Sequence, residues 1–541
     1  MTTKRLRARA RLARDRAKAS MRRGKQSIFS RIAKIIFHRT FFVSVGIALQ
    51  LFILAVPIIW FARYSALFYF VYVTIATIAV LKIISGRYEA AYKIAWVVLV
   101  LSVPMFGAVM YLLYGGNKID IRSRKKMHQQ EACMRTSMGS VTLETKAALE
   151  EQGMAALNQA RYLAGASFCP PHIHTETTYF PLGDDMFVKM KEELEKAEHF
   201  IFLEYFIIHP GVMWNEILEI LKRKVAEGVD VRVMYDDVGC LYTLPTNYDR
   251  TLEDMGIPCQ VFNRYRPVVS LRLNNRDHRK ILVVDGHTAF NGGINLSDEY
   301  INETHPHGHW KDTGVRVHGP AAWNLTAMFL SMWHAFRKED ALEDVRRFFP
   351  QTFHPQPFSG EGFVQPFGDS PLDGEALAEN VYIDILSQAK RYVYIFTPYL
   401  IIDDIMKTAL CSAAKRGVDV RIVTPGVPDK KIVYRLTRSH YMPLLKAGVR
   451  IFEYAPGFIH AKSYVADDET AVIGTINMDY RSLYLHFECG TYLYRCPAVM
   501  DLKADALDTL AKSREVQLSR IHHTAVGALL DAVLRLVAPL F

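Results

Sequence analysis

The sequence predicts two α/β lobes related by a pseudo-twofold axis, each a mixed sheet flanked by helices, preceded by N-terminal transmembrane helices. Three observations lead there. At 541 residues the chain is too long for one ordinary hydrophobic core. Three long uncharged runs follow one another near the N-terminus, and most of the remaining chain is written twice.

Residues 1–40 form a basic arm with 14 Lys and Arg against one acid, Asp15. That excess more than accounts for the formal charge of +11, so the body carries a small net negative charge. A basic arm is drawn to anionic surfaces, nucleic acid or anionic lipid. The segment after it, 41–117, favours lipid. No charge occurs from Phe41 to Ala62, from Tyr64 to Leu81 or from Ile94 to Asn117. Each run approaches or exceeds the roughly 20 residues that span a bilayer, which predicts up to three spans. The basic region is too long for a signal peptide. The arm and the loop with Lys82, Arg87 and Lys93 favour the cytoplasm, whereas "KIDIRSRKK" after the third run pulls the opposite way.

A polar, helix-prone connector covers 118–170. Beyond it "AEHFIFLEYFII" (197–208) matches "AKRYVYIFTPYLII" (389–402), "EGVDVRVMYDD" (227–237) matches "RGVDVRIVTPG" (416–426), and "MGIPCQVF" (255–262) matches "AGVRIFEY" (447–454). Buried strands alternating with helices predict a parallel or mixed sheet covered on both faces. The lobes are placed at 171–345 and 362–512, with a Pro/Gly/Phe linker at 346–361. The tail, 513–541, has apolar residues at helical spacing and predicts an amphipathic helix packed against the core. Seven cysteines without a C-x-x-C pair suggest neither a disulfide framework nor a zinc site.

The last matched pair carries chemistry. His278, Lys280, Asp285, Gly292 and Asn295 recur as His460, Lys462, Asp467, Gly474 and Asn477, every spacing preserved. A single His-x-Lys on a strand is ordinarily a solvated face, but two copies in register describe a site. On a strand the His and Lys of each copy emerge on one side, about 7 Å apart. The constellation is therefore His278, Lys280, Asp285, His460, Lys462 and Asp467, with Lys280, Asn295, Lys462 and Asn477 as phosphate contacts. Within it the two aspartates stand an odd number of residues from their histidines, so they are expected to be structural ties at the strand ends. Two histidines flanking a shared phosphodiester allow metal-free and cofactor-free phosphoryl transfer. A neutral imidazole attacks phosphorus, a protonated one supplies the leaving alcohol's proton, and lysine and asparagine stabilise the nonbridging oxygens.

These residues, with "LRLNNRDHRKILVVDG", "GGINLSDEY", "HWKDT" and "GTINMDYRSLYLHFE", resemble the phospholipase D superfamily and, within it, the bacterial cardiolipin synthases. The last uncharged run, "AWVVLVLSVPMFGAVMYLLYG", resembles that family's membrane segment. The resemblance implies phospholipase D-like lobes and a multi-pass protein of the bacterial cell membrane. It makes His278 the nucleophile, His460 the general acid and base, and Asp312 and Glu488 the carboxylates orienting the histidine of their own lobes. It also implies transfer of a phosphatidyl group from one phosphatidylglycerol to another, giving cardiolipin and glycerol through a phosphatidyl-histidine. Partners are then phosphatidylglycerol, cardiolipin and other anionic lipids, with no nucleic acid expected. A phospholipase D or a phosphatidylserine synthase would use the same intermediate with another acceptor, and a non-catalytic lipid-binding scaffold is the alternative from outside enzymology. The family pattern has asparagine where this chain has His486, and the run 41–62 and the basic arm are additions to it.

Overall fold

The structure is a computed structural model, which describes residues 66–86, 89–115, 121–264, 274–520 and 524–540. The basic arm and the first uncharged run lie outside the described residues. The chain divides into two units: the smaller is described only at residues 66–71, and all that follows concerns the larger.

The first lobe contributes β1 (Glu176–Phe180), β2 (Phe200–Tyr205), β3 (Asp230–Asp236), β4 (Cys259–Phe262), β5 (Lys280–Val284), β6 (Thr288–Gly292), β7 (His309–Lys311) and β8 (Gly314–His318). The second contributes β9 (Phe363–Asp369), β10 (Tyr392–Phe396), β11 (Leu400–Ile401), β12 (Asp419–Pro425), β13 (Arg450–Tyr454), β14 (Gly457–Ile459), β15 (Ser463–Ala466), β16 (Thr470–Gly474), β17 (Met478–Asp479), β18 (Glu488–Tyr494) and β19 (Ser513–Glu515). The first sheet runs β1-β8-β6-β5-β2-β3-β4 and the second β9-β18-β16-β15-β10-β12-β13-β19. Strand for strand the orders coincide, with β19 added at one edge. In both sheets three strands are parallel and the rest antiparallel, so each is mixed.

The apolar strand runs follow from burial on both faces. Along β2, Phe200 and Phe202 enter one hydrophobic cluster, and Ile201, Leu203 and Tyr205 enter another. The first of these clusters is shared by both lobes and is bridged by the helix Ala322–Phe336, which packs against β2, β5 and β9. The sequence-defined connector is the helices Ile121–Met138, Leu143–Gln152 and Met154–Ser167, whose Met134, Leu157 and Leu163 join that same core. The linker is docked as well: Phe348 is buried, its ring 4.9 Å from that of Phe200. Five of the seven cysteines are buried, Cys133 is exposed and Cys411 intermediate, and none is bridged.

Two expectations change. Among the described residues no helix is long and apolar enough to cross a membrane, so the N-terminal transmembrane helices are not confirmed. What is present is α1 (Ala66–Ser85), α2 (Ala90–Ser102) and α3 (Pro104–Tyr114), the last two separated at Val103-Pro104, where proline removes a backbone donor. The tail does form a helix, Ala525–Val537, but it is not packed into the core: Val526, Leu529, Leu530 and Val533 are exposed. Leu534 and Ala538 turn inward instead, and Arg435 pins the helix to its neighbour through Asp531 at 2.7 Å.

Candidate active site

Each histidine sits just before a central hairpin strand rather than within it. His278 precedes β5 by two residues, and His460 lies between β14 and β15. Their positions are fixed by backbone pairing with the opposite lobe. The His278 N–H donates to Phe487 O at 2.9 Å, and the Phe487 N–H donates back to Arg276 O at 2.8 Å. The His460 N–H donates to Lys311 O at 2.7 Å, continuing the parallel pairing of β14 with β7.

That ladder decides which carboxylate reaches which imidazole. Phe487 precedes Glu488 and Lys311 precedes Asp312, so each histidine meets the acid of the other lobe. His278 Nδ1 is 2.9 Å from both Glu488 oxygens, and His460 Nδ1 is 2.6 Å from Asp312 Oδ2. The expected pairing within each lobe is therefore corrected: the carboxylates cross. Both are fully buried. Glu488 also accepts from the Thr475 hydroxyl, and Asp312 from the Thr313 N–H at 2.9 Å. Gly293, the counterpart of Thr475 in the repeat, leaves room for Asp312, since a Cβ there would lie 2.1 Å from Oδ1. Gly293→Ala is accordingly expected to displace Asp312 and to lower turnover at least about tenfold without matching loss in thermal stability; equal turnover would show that the carboxylate has slack.

The lysines are buried beside their histidines. Lys280 Nζ donates to His278 O at 2.6 Å, and Lys462 Nζ lies 2.7 Å from Nδ1 and 2.9 Å from Nε2 of His460. Phe206 stands edge-on to His278 at 4.8 Å, while Tyr300 and Trp310 flank His460 at 5.3 and 5.5 Å. These apolar walls set the electrostatics. Burial, then the charges of Lys280 and Lys462, hold His278 well below its ordinary pKa. Burial and Lys462 lower His460 to about 4. Burial also lowers Lys280 to about 8 and Lys462 to about 7. Burial pushes the Asp312 carboxyl up, but Lys462 and His460 outweigh it and leave the group below its usual value.

The remaining motif residues are elsewhere in role. Asp285 and Asp467 close the turns after β5 and β15 in left-handed conformation, φ 48° and 56°. Asp285 accepts from the N–H groups of Glu198, His199 and Phe200, and Asp467 from those of Lys390, Arg391 and Tyr392. They tie the entry of β2 or β10 to the hairpin, at the end remote from the histidines. They belong to the scaffold, as parity indicates, and not to a reacting group. Asn295 is committed to protein partners, accepting from the Ile207 N–H at 3.0 Å and donating to the Tyr300 hydroxyl at 2.7 Å. It supports the wall of His460 through one of its two amide N–H groups. Asn477 is 6 % exposed, with Oδ1 unpartnered.

Sequence reasoning missed the aromatic walls and the place of His486, whose ring is 5.6 Å from that of His278. The only available signal was that His486 departs from the family pattern. His278, His486 and Glu488 offer ligand atoms within 4.8 Å of one another, enough to hold a metal ion. The ammonium groups of Lys280 and Lys462, which already repel a proton on His278, oppose a cation there.

The chain matches the family described as cardiolipin synthase, phospholipase D-like domain, over residues 190–333 and 382–506, and a phospholipase D-nuclease N-terminal family over 74–116. It is 46% identical to an uncharacterised protein of Streptococcus mutans over 463 residues, 85% of this chain and 99% of that one. It is 34% identical to a cardiolipin synthase of a Geobacillus species over 457 residues, 84% and 89% of the two chains. Among solved structures it resembles the phosphatidylserine synthase of Haemophilus influenzae with a TM-score of 0.54 at 14% identity, covering 71% of this chain and 100% of that one. That likeness is one of fold.

Proposed function

The chain belongs to the bacterial cardiolipin synthases of the phospholipase D superfamily, and from that premise we propose that it joins two phosphatidylglycerols at the His278–His460 pocket through a phosphatidyl-histidine. One observation supports this above the others: each histidine is held through Nδ1 by a buried carboxylate of the opposite lobe, with a buried lysine beside it.

Glu488 takes the Nδ1 proton of His278 as a hydrogen bond, which leaves the Nε2 lone pair free. That nitrogen attacks phosphorus while the bond to the headgroup glycerol breaks, and His460 gives its Nε2 proton to the departing oxygen. His460 then takes the proton of a second phosphatidylglycerol's headgroup hydroxyl, whose oxygen attacks phosphorus and breaks the P–N bond. Cardiolipin and glycerol are the products. One phosphodiester is exchanged for another, so no nucleotide is consumed. The acid role asks His460 to hold a proton that Lys462 and burial disfavour; the phosphodiester's negative charge offsets the lysines and restores it.

Binding therefore depends on charged lysines. Their depressed values place deprotonation at about 7 for Lys462 and about 8 for Lys280, and an anion prefers the protonated forms present below those values. The KM for phosphatidylglycerol is expected to rise between about pH 7 and 9; a KM flat across that range would count against phosphate contact by either lysine.

Membrane association rests on exposed apolar faces. α1 exposes Ile75, Ile78, Leu81 and Ile84, α2 exposes Ile94, Val98 and Leu101, and the C-terminal helix, which contacts α2, exposes Leu529 and Val533. The reading places these helices in or on the bilayer, with the basic arm against anionic headgroups. Leu529→Glu with Val533→Glu is expected to weaken sedimentation with phosphatidylglycerol vesicles several-fold at unchanged melting temperature.

The governing experiment mixes the purified protein with phosphatidylglycerol vesicles and follows cardiolipin and free glycerol. Equal amounts of the two products support the reading, whereas phosphatidic acid without cardiolipin would make the protein a phospholipase D.

A further inference from the structure

A cavity of about 630 Å³ lies between the helix Lys431–Ser439 and the C-terminal helix Ala525–Val537. Its size is within the ~300–1,000 Å³ of small-molecule sites. Its interior is apolar: Ile401, Leu436 and Tyr480 are buried on one side, and Leu534 and Ala538 close the other. Its solvent side is cationic, because Lys430 and Lys431 line it and are exposed. Among the described residues neither ammonium has a carboxylate partner. Asp429, next to them, accepts instead from the Tyr399 hydroxyl at 2.6 Å and the Lys430 N–H at 2.7 Å. Arg481 is a third cation in the lining, against one carboxylate, Asp479, which is buried and accepts from the Ser482 N–H at 2.9 Å.

Resting on the membrane association argued above, we propose that this cavity is a second lipid site, which takes an acyl chain of an anionic phospholipid that does not react, with the lipid's phosphate on Lys430 and Lys431.

Charge and continuity both favour that occupant. An apolar interior behind a cationic rim matches an amphiphile with a hydrocarbon chain and an anionic head. A zwitterionic lipid brings no net charge to the two ammonium groups, and a wholly apolar ligand leaves them unused. The cavity also adjoins the surface that the reading places on the bilayer. Leu534 lines it, the neighbouring Leu530 and Val533 are exposed, and Ile432 on the facing helix is 63% exposed. A chain can therefore pass from bilayer to cavity along apolar surface. Position separates this lipid from the reacting one. Neither His278 nor His460 lines the cavity, and two rings stand between it and His460. Tyr399, a cavity wall, is 6.4 Å from Phe458, whose ring is 5.9 Å from that of His460. A lipid held here anchors the second lobe to the membrane beside the reacting pocket without entering it.

The test uses the full-length protein in mixed micelles with phosphatidylglycerol carrying a photoreactive diazirine near the end of one acyl chain. It is run with His278→Ala, so that no probe is consumed, and the labelled segments are mapped by mass spectrometry. Label is expected in 430–436 and 534–538, at least about fivefold above that from phosphatidylcholine with the same diazirine. Lys430→Gln with Lys431→Gln should remove that preference, and the cavity-filling Val433→Trp should lower the label at least about fivefold. Melting temperatures identify a misfolded Val433→Trp, and the exposed lysine pair tests the site without touching the core. With His278 restored, both variants should keep the KM for a short-chain, micellar phosphatidylglycerol within about threefold of wild type. Equal label from phosphatidylcholine would remove the anionic head, and label confined to 526–533 would show that the chain stays outside the cavity. A KM raised tenfold would make the cavity part of the substrate site and overturn the proposal of a non-reacting lipid. Labelling is read without turnover, so a protein that takes the label but makes no cardiolipin keeps this site and loses the proposed reaction.

Discussion

His278→Ala is expected to lower cardiolipin formation by at least about 10³-fold and to leave no covalent lipid adduct, because the attacking lone pair is gone. His460→Ala is expected to lose a similar factor but to behave differently in a single turnover. It loses the proton that helps glycerol leave and the base that activates the acceptor, effects worth about 10²–10⁴-fold each. The nucleophile and its Glu488 partner remain. With a labelled lipid and acid quenching, this variant should accumulate an adduct that His278→Ala lacks. An adduct on His278→Ala and none on His460→Ala would reverse the assignments, and equal cardiolipin yield from wild type and His278→Ala would end them.

The second large effect comes from the crossed carboxylates. Glu488→Gln is expected to impair formation of the adduct, because Glu488 fixes the proton on Nδ1 of His278, whereas Asp312→Asn is expected to impair proton transfer through His460. Each should cost about 10²-fold or more, the scale set by other histidines that lose their orienting carboxylate. Pairing within the lobes would give the opposite assignment. A double-mutant cycle distinguishes them: Glu488→Gln should add little to His278→Ala and should retain its effect beside His460→Ala. Full additivity in the first pair would break the crossed assignment. The same crossing explains why neither lobe should work alone, since each would retain a histidine without its acid.

Met134 of the connector shares one cluster with Phe329, Val364 and Tyr464, so excising the connector is expected to uncover the core of both lobes. Its helices look like polar linkers when read locally, because charged residues dominate their outward faces. Their buried positions only declare themselves against the helix Ala322–Phe336 and β9. The C-terminal helix shows the converse. Its apolar stripe is plain in the sequence, but amphipathicity does not say whether protein or lipid covers it, and the fold leaves Leu529 and Val533 exposed.

What the sequence determined by itself was everything that depends on short spacing. The repeat, the His-Lys pairs and the role of Asp285 and Asp467 as strand-end ties follow from periodicity and parity, which act over a few residues. What only the tertiary structure decided was every relation between lobes. Glu488 stands 28 residues after His460 yet binds His278, and Asp312 follows His278 yet binds His460, because β7 pairs with β14 and Phe487 with His278 across the interface. Distance along the chain has no bearing on such contacts. They are fixed by which backbone edges two folded lobes present to each other, and so are the commitment of Asn295 to Tyr300 and the place of His486 beside His278.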